Sequence, residues 1–129
     1  MAPVILNADS SNASEFSGLR HGNFFSPVTR SDEEFLEVLM LGKGSSRIER
    51  IVSQGHSSPP DFWYDQDEWE FVAVLHGDAE LEFESGSLRM MPGDWVILPA
   101  HLRHRVKYTS ENPPCVWLAF FGNEESLTE

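Results

Sequence analysis

Residues 92–106, PGDWVILPAHLRHRV, contain two histidines, His101 and His104, three positions apart. Both follow an apolar run that ends at Pro99, and Arg103 and Arg105 flank the second histidine. An imidazole between guanidinium groups is poor core material unless a metal or a ligand holds it. The pattern therefore indicates either a metal- or ligand-binding histidine or an ordinary hydrated strand start.

A carboxylate with a similar placement occurs earlier in the chain. Glu70 shares one face of a predicted strand with the valines two and four residues further on. His104, Val106 and Tyr108 likewise share one face of a later strand. A buried carboxylate requires a partner, a proton or a metal. If both strands line one barrel, Glu70 and His104 converge; if both groups lie at strand ends, they are simply hydrated.

The elements that must position these groups are predicted to be strands. Residues 79–84, AELEFE, alternate strictly, with Leu81 and Phe83 on one face and glutamates on the other. Short apolar runs separated by Gly and Pro continue from about residue 46 to residue 121. Many short strands with such punctuation favour an all-β sandwich or barrel.

The N-terminal part is predicted to differ. Residues 1–22 are expected to form a flexible leader, because residues 7–20 are polar and rich in Ser, Asn and Asp. Ser31 and Glu34 have the spacing of a capping box, which predicts a short helix ending near Gly42. The apolar stripe of this helix would consist of Phe35, Val38 and Leu39.

Size and charge limit the class of protein. The chain of 129 residues fits one domain, and its formal net charge is −12. An acidic chain is a poor match for nucleic acid or for an anionic membrane surface. Its single cysteine, Cys115, excludes an internal disulfide, and no segment has the form of a signal peptide or a membrane span. We therefore expect a cytoplasmic protein that binds neither nucleic acid nor membrane.

Two spaced motifs resemble those of the cupin family. Glu70 followed after six residues by Gly77 is similar to the end of the first cupin motif, and Gly93-x5-Pro99-x4-His104 is similar to the second. The resemblance covers roughly residues 47–121. It implies a single-domain jelly-roll barrel within residues 23–129. Residues 62–72 and 99–106 are similar to those of small bacterial cupins labelled as mannose-6-phosphate isomerases.

The resemblance also implies a divalent metal inside the barrel, which could be Mn, Fe, Ni or Zn. Glu70 matches the glutamate ligand of the first motif, and His104 matches the histidine ligand of the second. Asp65, Gln66 and His101 are further candidate ligands. His101, His104 and Glu70 would form a two-histidine, one-carboxylate set with open positions. The alternative is a metal-free barrel that uses these groups for hydrogen bonding.

The two histidines of the first motif are missing from this chain. If four residues separate the second histidine of the motif from Glu70, the two histidine positions are occupied by Trp63 and Asp65. If three residues separate them, the positions are occupied by Tyr64 and Gln66. Carboxylates and amides suit harder ions, whereas histidine-rich sets hold Zn, Ni, Cu and Fe better. The sequence is compatible with both alignments.

Aromatic residues near Glu70 and on a later strand are candidates for the wall of a ligand pocket, and core packing is their alternative role. The candidates are Trp63, Tyr64, Trp69 and Tyr108.

Three functions follow from these residues. The first is a metal-dependent isomerase or oxygenase acting on a sugar, an organic acid or a carbonyl compound, with Asp65 and His101 as catalytic groups. The second is a non-catalytic module that binds a small ligand and has a degenerate metal site. The third is a structural or regulatory β-domain. We also expect a homodimer, formed through the leader or through the face that carries Leu81 and Phe83.

Overall fold

The computed structural model describes residues 18–123, and this part of the chain contains eight strands and no helix. Most of the predicted leader, residues 1–17, lies outside the described residues. In chain order the strands are β1 Phe35–Leu41, β2 Arg47–Ser53, β3 Trp69–His76, β4 Ala79–Phe83, β5 Gly86–Met90, β6 Trp95–Leu98, β7 His104–Thr109 and β8 Cys115–Gly122. No helix in residues 18–123 is long and apolar enough to cross a membrane.

The strands form two antiparallel sheets that face each other, which confirms the predicted all-β jelly roll. The five-stranded sheet has the order β1-β2-β8-β3-β6, and the three-stranded sheet has the order β5-β4-β7. Alternate residues from both sheets meet between them and form the apolar core. Its buried members are Val72, Val74, Ala79, Leu81, Met90, Leu98, Cys115, Trp117, Ala119 and Phe121.

The turn between β3 and β4 requires a glycine. Gly77 has a φ of 71°, and a Cβ placed on it would lie 2.4 Å from the carbonyl oxygen of Pro114 and 2.8 Å from the Cα of Cys115. A backbone atom cannot move aside as a flexible side chain can. Any larger residue here would displace the start of β8, which explains the Gly that ends the first motif.

The helix predicted from Ser31 to Gly42 is wrong, because β1 occupies Phe35–Leu41. The Ser31 hydroxyl accepts a hydrogen bond from the amide of Glu33 and closes a local turn instead of capping a helix. β1 then pairs with β2, and this pairing places Glu37 opposite Arg50. A tertiary partner for the whole segment outweighs a local capping pattern.

Glu37 and Arg50 form a buried ion pair on the outer face of the five-stranded sheet. Their exposed fractions are 4% and 2%, and Nη1 of Arg50 lies 3.2 Å from Oε1 of Glu37. Arg50 also donates hydrogen bonds to the carbonyl oxygens of Phe24 and Ser26. The guanidinium therefore attaches the segment before β1 to the sheet.

Two predicted side-chain directions need correction. β7 has an irregularity in its pairing with β4, where Val106 pairs with Leu81 and Tyr108 with Glu80. The extra residue reverses the alternation, so Tyr108 is 41% exposed rather than on the face of His104. Leu81 is only 2% exposed and packs between the sheets, so it is not part of an accessible dimer face.

Candidate functional site

A cavity of about 220 Å³ lies between the two sheets. Its walls are mainly apolar, and Tyr64 and Leu36, which stay partly exposed, mark its rim. The apolar lining residues are Leu36, Ile51, Val72, Leu81, Leu98, Val106, Trp117 and Phe121, and the polar ones are Glu34, Arg47, Glu49, Tyr64, Gln66, Glu70 and His104. An apolar concavity with a few converging polar groups is the usual form of a small-molecule site.

Glu70 brings a carboxyl group into this cavity. It lies on β3 between register partners Leu98 and Phe121, and its side chain is 13% exposed. The amide of Gln66 donates a hydrogen bond to Oε1 of Glu70 at 3.4 Å. Burial raises the pKa of the Glu70 carboxyl from 4.5 to about 7, and the Gln66 hydrogen bond opposes this rise. Near neutral pH the group therefore exists in both protonation states.

His104 faces Glu70 across the cavity. Its Nδ1 lies 2.8 Å from the carbonyl oxygen of Leu102. Because a carbonyl only accepts, Nδ1 carries the proton in the neutral ring and Nε2 is left as an acceptor. That Nε2 lies 3.8 Å from Oε1 of Glu70, which is too far for a direct hydrogen bond. Both groups therefore keep hydrogen-bonding capacity for a third molecule.

Tyr64 holds the ring of His104 in place. The backbone groups of the two residues exchange hydrogen bonds at 2.7 and 3.1 Å. Their rings stack with centroids 5.3 Å apart and an interplanar angle of 22°. Tyr64 therefore lies beside His104, and Gln66 lies beside Glu70. These are the two positions that the histidines of the first motif would occupy if three residues separated the second histidine from Glu70.

β2 adds a charged group that sequence reasoning missed. Nε of Arg47 donates to Glu49 at 2.7 Å, and its Nη1 donates to Glu68 at 2.7 Å. The guanidinium also lies 4.1 Å from the centroid of the Phe121 ring. The alternation in RIERIVS indicated that Arg47 and Glu49 share a face with Ile51. Only the position of β2 in the sheet shows that this face lines the cavity.

The structure brings Asp65 and His101 together, but apart from the cavity. Nδ1 of His101 lies 2.8 Å from Asp65, and its Nε2 lies 3.2 Å from Asp67. His101 has a φ of 65°, its side chain is 63% exposed, and the hydrogen bond with Asp65 raises its pKa. Neither Asp65 nor His101 lines the cavity that contains Glu70 and His104.

Of the four predicted pocket aromatics, the structure places only Tyr64 in the cavity wall. Trp63 lies beneath the guanidinium groups of Arg103 and Arg105. The indole of Trp69 donates a hydrogen bond to the carbonyl of Asn123. Tyr108 lies under Arg89. These three have packing roles outside the cavity.

The donors at the cavity do not fit a histidine-rich metal site. They comprise one imidazole, the Gln66 amide and the carboxylates of Glu34, Glu49 and Glu70, and within residues 18–123 no three His, Cys, Asp or Glu side chains form a group that could hold an ion. The carboxylate of Glu49 is already engaged by Arg47. With a single imidazole, the donor set differs from that of a histidine-rich metal centre.

We expect Glu70→Gln to stabilise the protein at alkaline pH. The folded-state pKa exceeds the unfolded value, so the folded chain retains a proton that the unfolded chain releases. Stability is thus lost as the pH rises from 4.5 towards 7. Urea unfolding should show that the wild type loses about 2 kcal/mol relative to Glu70→Gln between about pH 5.5 and about pH 8.5.

The matched control is Glu84→Gln, whose side chain is 67% exposed. The free energy of unfolding of this control should change with pH as that of the wild type does. If the free energy of unfolding of Glu70→Gln also changed as that of the wild type does, Glu70 would have an ordinary pKa.

The two facing sheets and the open cavity between them define a small β-barrel, and the chain belongs to the cupin family. The family described as "Cupin domain" matches residues 49–121. Members of this family commonly bind divalent metals. No curated protein matches the chain.

Solved structures agree with this assignment. The chain is similar to a candidate mannose-6-phosphate isomerase from Ralstonia eutropha JMP134, with 44% identity, a TM-score of 0.77, and coverage of 81% of this chain and 99% of that one. It also resembles a cupin superfamily protein from Desulfitobacterium hafniense DCB-2, with 16% identity, a TM-score of 0.63, and coverage of 76% and 84%. The cupin domain of Schizosaccharomyces pombe Cnp3 has 13% identity, a TM-score of 0.60, and coverage of 70% and 62%. The last two similarities concern the fold alone.

Proposed function

We propose that this cupin binds a compact, uncharged molecule carrying hydroxyl or carbonyl groups, and that Glu70 and His104 contact it directly. The observation that carries the proposal is the 3.8 Å gap between Oε1 of Glu70 and Nε2 of His104 inside an apolar cavity. A ligand hydroxyl between them would donate to Nε2 and accept from a protonated Glu70. Burial would strengthen both hydrogen bonds.

The charges around the cavity disfavour an anionic ligand. Arg47 is the only arginine or lysine among the described lining residues, and Glu49 and Glu68 already neutralise it. The carboxylate of Glu34 also lines the cavity. A phosphate or a carboxylate entering here would meet like charges and no free cation. The ligand that we propose is therefore uncharged, unlike the sugar phosphate in the name of the Ralstonia relative.

The size of the cavity favours a small ligand. Its volume of about 220 Å³ lies below the roughly 300 Å³ at which pockets for drug-sized molecules begin. Ile51, Leu81 and Trp117 would contact the carbon skeleton, while Tyr64 stands at the rim. A short polyol or a hydroxy ketone matches this combination.

A matched ligand pair tests the charge preference. We expect dihydroxyacetone and mannose to bind at least about 10-fold more tightly than their phosphate esters, since the phosphate adds like-charge repulsion without a new partner. Titration calorimetry and ligand-induced shifts in melting temperature measure the difference. His104→Ala should weaken binding of the neutral ligands, whereas Glu84→Gln should not. Tighter binding of the phosphate esters would contradict the proposal.

A second candidate, proton transfer of the isomerase type, is favoured by the pKa of about 7 at Glu70. The ionised carboxyl would remove the proton from the carbon beside a carbonyl and return it to the neighbouring carbon. His104 Nε2 would take the hydroxyl proton and deliver it to the former carbonyl oxygen.

Deuterium incorporation separates catalysis from binding alone. In D₂O, the wild type should introduce deuterium into dihydroxyacetone, and Glu70→Gln should bind the ketone without exchanging its protons. NMR of the ketone reports both the exchange and the appearance of glyceraldehyde. Binding without exchange by the wild type would leave a non-catalytic module, and exchange by Glu70→Gln would exclude Glu70 as the base.

A further inference from the structure

A second cavity, of about 250 Å³, lies on the outer side of the five-stranded sheet. Residues 20–24 form one wall, and β1 and β2 form the other with Glu37, Leu39 and Arg50. Arg50 follows Glu49 on β2, so the two side chains point to opposite faces of the sheet. We call this the outer cavity, and it shares no lining residue with the inner cavity between the two sheets.

Arg20 brings to the outer cavity a cation that forms no ion pair with any carboxylate of residues 18–123. Its guanidinium donates one hydrogen bond, to the carbonyl oxygen of Leu39, and this bond holds it against β1. The other arginines in this part of the chain all pair with a glutamate or an aspartate; they are Arg30, Arg47, Arg50, Arg89, Arg103 and Arg105. In a chain with 21 acidic and nine basic residues, an arginine left over at a cavity indicates a place for an anion.

Arg50 supplies a second guanidinium to the same cavity, and its side chain is only 2% exposed. It donates to Glu37 at 3.2 Å, to the carbonyl oxygen of Phe24 at 3.0 Å and to that of Ser26. A guanidinium has five N–H groups, so two of them have no acceptor among the described residues. A buried donor without an acceptor costs free energy, and a ligand oxygen in the outer cavity would remove that cost.

The charges of the two cavities differ in sign. With His21 counted as neutral, Arg20, Arg50 and Glu37 give the lining of the outer cavity one net positive charge. We propose that the outer cavity binds a short organic monocarboxylate, whose carboxylate accepts hydrogen bonds from Arg20 and Arg50. The planar fork of a guanidinium matches the two oxygens of a carboxylate, and hydrogen bonds between ionised groups are the stronger kind.

The rest of the lining limits the ligand to one negative charge and a small apolar body. A second negative charge would meet the buried carboxylate of Glu37, which Arg50 already neutralises. Phe24 and Leu39 line the cavity and would contact the hydrocarbon part of the acid. The volume of about 250 Å³ lies below the roughly 300 Å³ at which pockets for drug-sized molecules begin. A monocarboxylic acid with a few carbon atoms meets all three conditions.

Titration calorimetry of the full chain with sodium butyrate tests the proposal, and butyramide is the uncharged probe of the same shape. The wild type should bind butyrate at least about 10-fold more tightly than butyramide, because only butyrate forms charge-assisted hydrogen bonds. Arg20→Met should abolish this preference. Arg20→Lys should retain part of it, since lysine keeps the charge without the planar fork. Amide NMR should show butyrate-dependent shifts at Gly22 and Asn23.

Arg103→Met is the matched control, because it also removes one positive charge but from an exposed arginine outside the outer cavity. Its affinity for butyrate should equal that of the wild type. His104→Ala should also leave butyrate binding unchanged, and Arg20→Met should leave the binding of dihydroxyacetone unchanged, because the two cavities share no lining residue. Circular dichroism verifies that all variants are folded.

Four results would overturn the monocarboxylate site. The first is equal affinity of the wild type for butyrate and butyramide, and the second is an equal loss of butyrate affinity in Arg103→Met and Arg20→Met. The third is tighter binding of inorganic phosphate than of butyrate. These three leave the proposed function untouched, since binding of dihydroxyacetone is measured separately. The fourth is loss of butyrate binding in His104→Ala, which would place the acid in the inner cavity and contradict the preference for a neutral ligand as well.

Discussion

The double variant Tyr64→His, Gln66→His is expected to bind Ni²⁺ or Zn²⁺ at least about 100-fold more tightly than the wild type. Both residues line the cavity beside Glu70 and His104. The change would convert one imidazole and one carboxylate into three imidazoles and one carboxylate, a set suited to these ions. Replacing two direct ligands should exceed the ~10–100-fold effect of changing an outer-shell partner.

The chain offers a matched control for this experiment. Trp63→His, Asp65→His introduces the same two histidines at the positions of the other alignment, which do not line the cavity. Elemental analysis after dialysis should find about one metal ion per chain only in the Tyr64→His, Gln66→His variant. A wild type that itself retains a full equivalent of metal would show that the present donors do fit an ion. Equal metal uptake by both double variants would contradict the placement of Tyr64 and Gln66.

Replacing Arg50 by methionine is expected to destabilise the protein by about 3–5 kcal/mol, because Glu37 would remain buried without a partner. Arg50 and Glu37 are almost fully buried, and the guanidinium also satisfies the carbonyls of Phe24 and Ser26. Urea unfolding near neutral pH measures the loss. Arg103→Met is the control: its ion pair with Glu84 is largely exposed, so its loss should stay below about 1 kcal/mol.

A second substitution separates the ion pair from the packing. Arg50→Met, Glu37→Leu removes both charges and should recover part of the stability lost in Arg50→Met, by about 1 kcal/mol or more. The recovery should be incomplete, because two backbone carbonyls lose their donor. If the double variant were as unstable as Arg50→Met alone, the loss would come from those carbonyls and not from the unpaired Glu37.

The proposal of an uncharged ligand depends on the charges around the cavity. A phosphate requires a free cation or a cluster of backbone donors. Arg47 is the nearest cation to consider, but two glutamates and the Phe121 ring already surround it. The proposal of a neutral ligand rests on the pairing of Arg47 with these two glutamates. Glu49→Gln would remove one of the two negative charges that neutralise the guanidinium.

Strand alternation allowed the sequence to predict much of the barrel. In AELEFE, and in the strands that begin at Glu70 and His104, side chains point to opposite faces with a period of two residues. That local rule put Leu81 and Phe83 on one face of their strand, and it placed Glu70 and His104 on the same faces as the valines of their strands. The positions of Gly77, Gly93 and Pro99 predicted the turns between strands. Glycine adopts backbone conformations that other residues avoid, and proline restricts the backbone φ angle.

Tertiary structure decided what local rules do not contain. Residues 31–42 carry a helical capping pattern, but pairing with β2 makes Phe35–Leu41 a strand. A bulge in β7 reverses the direction of Tyr108. A left-handed backbone at His101 directs its ring to Asp65 and away from the cavity. Whether Tyr64 or Trp63 lies beside His104 depends on a backbone bridge between segments 40 residues apart.

The sequence by itself therefore determined the fold class and the strand faces that carry Glu70 and His104, because each depends on alternation and turns within a few residues. The tertiary structure decided which groups surround them. Arg47 and Glu49 reach the cavity only because β2 is hydrogen-bonded to β8 in the same sheet. The pKa of Glu70 likewise rises because of burial by strands distant in the chain. The chemical character of the site depends on these long-range contacts, which no local pattern specifies.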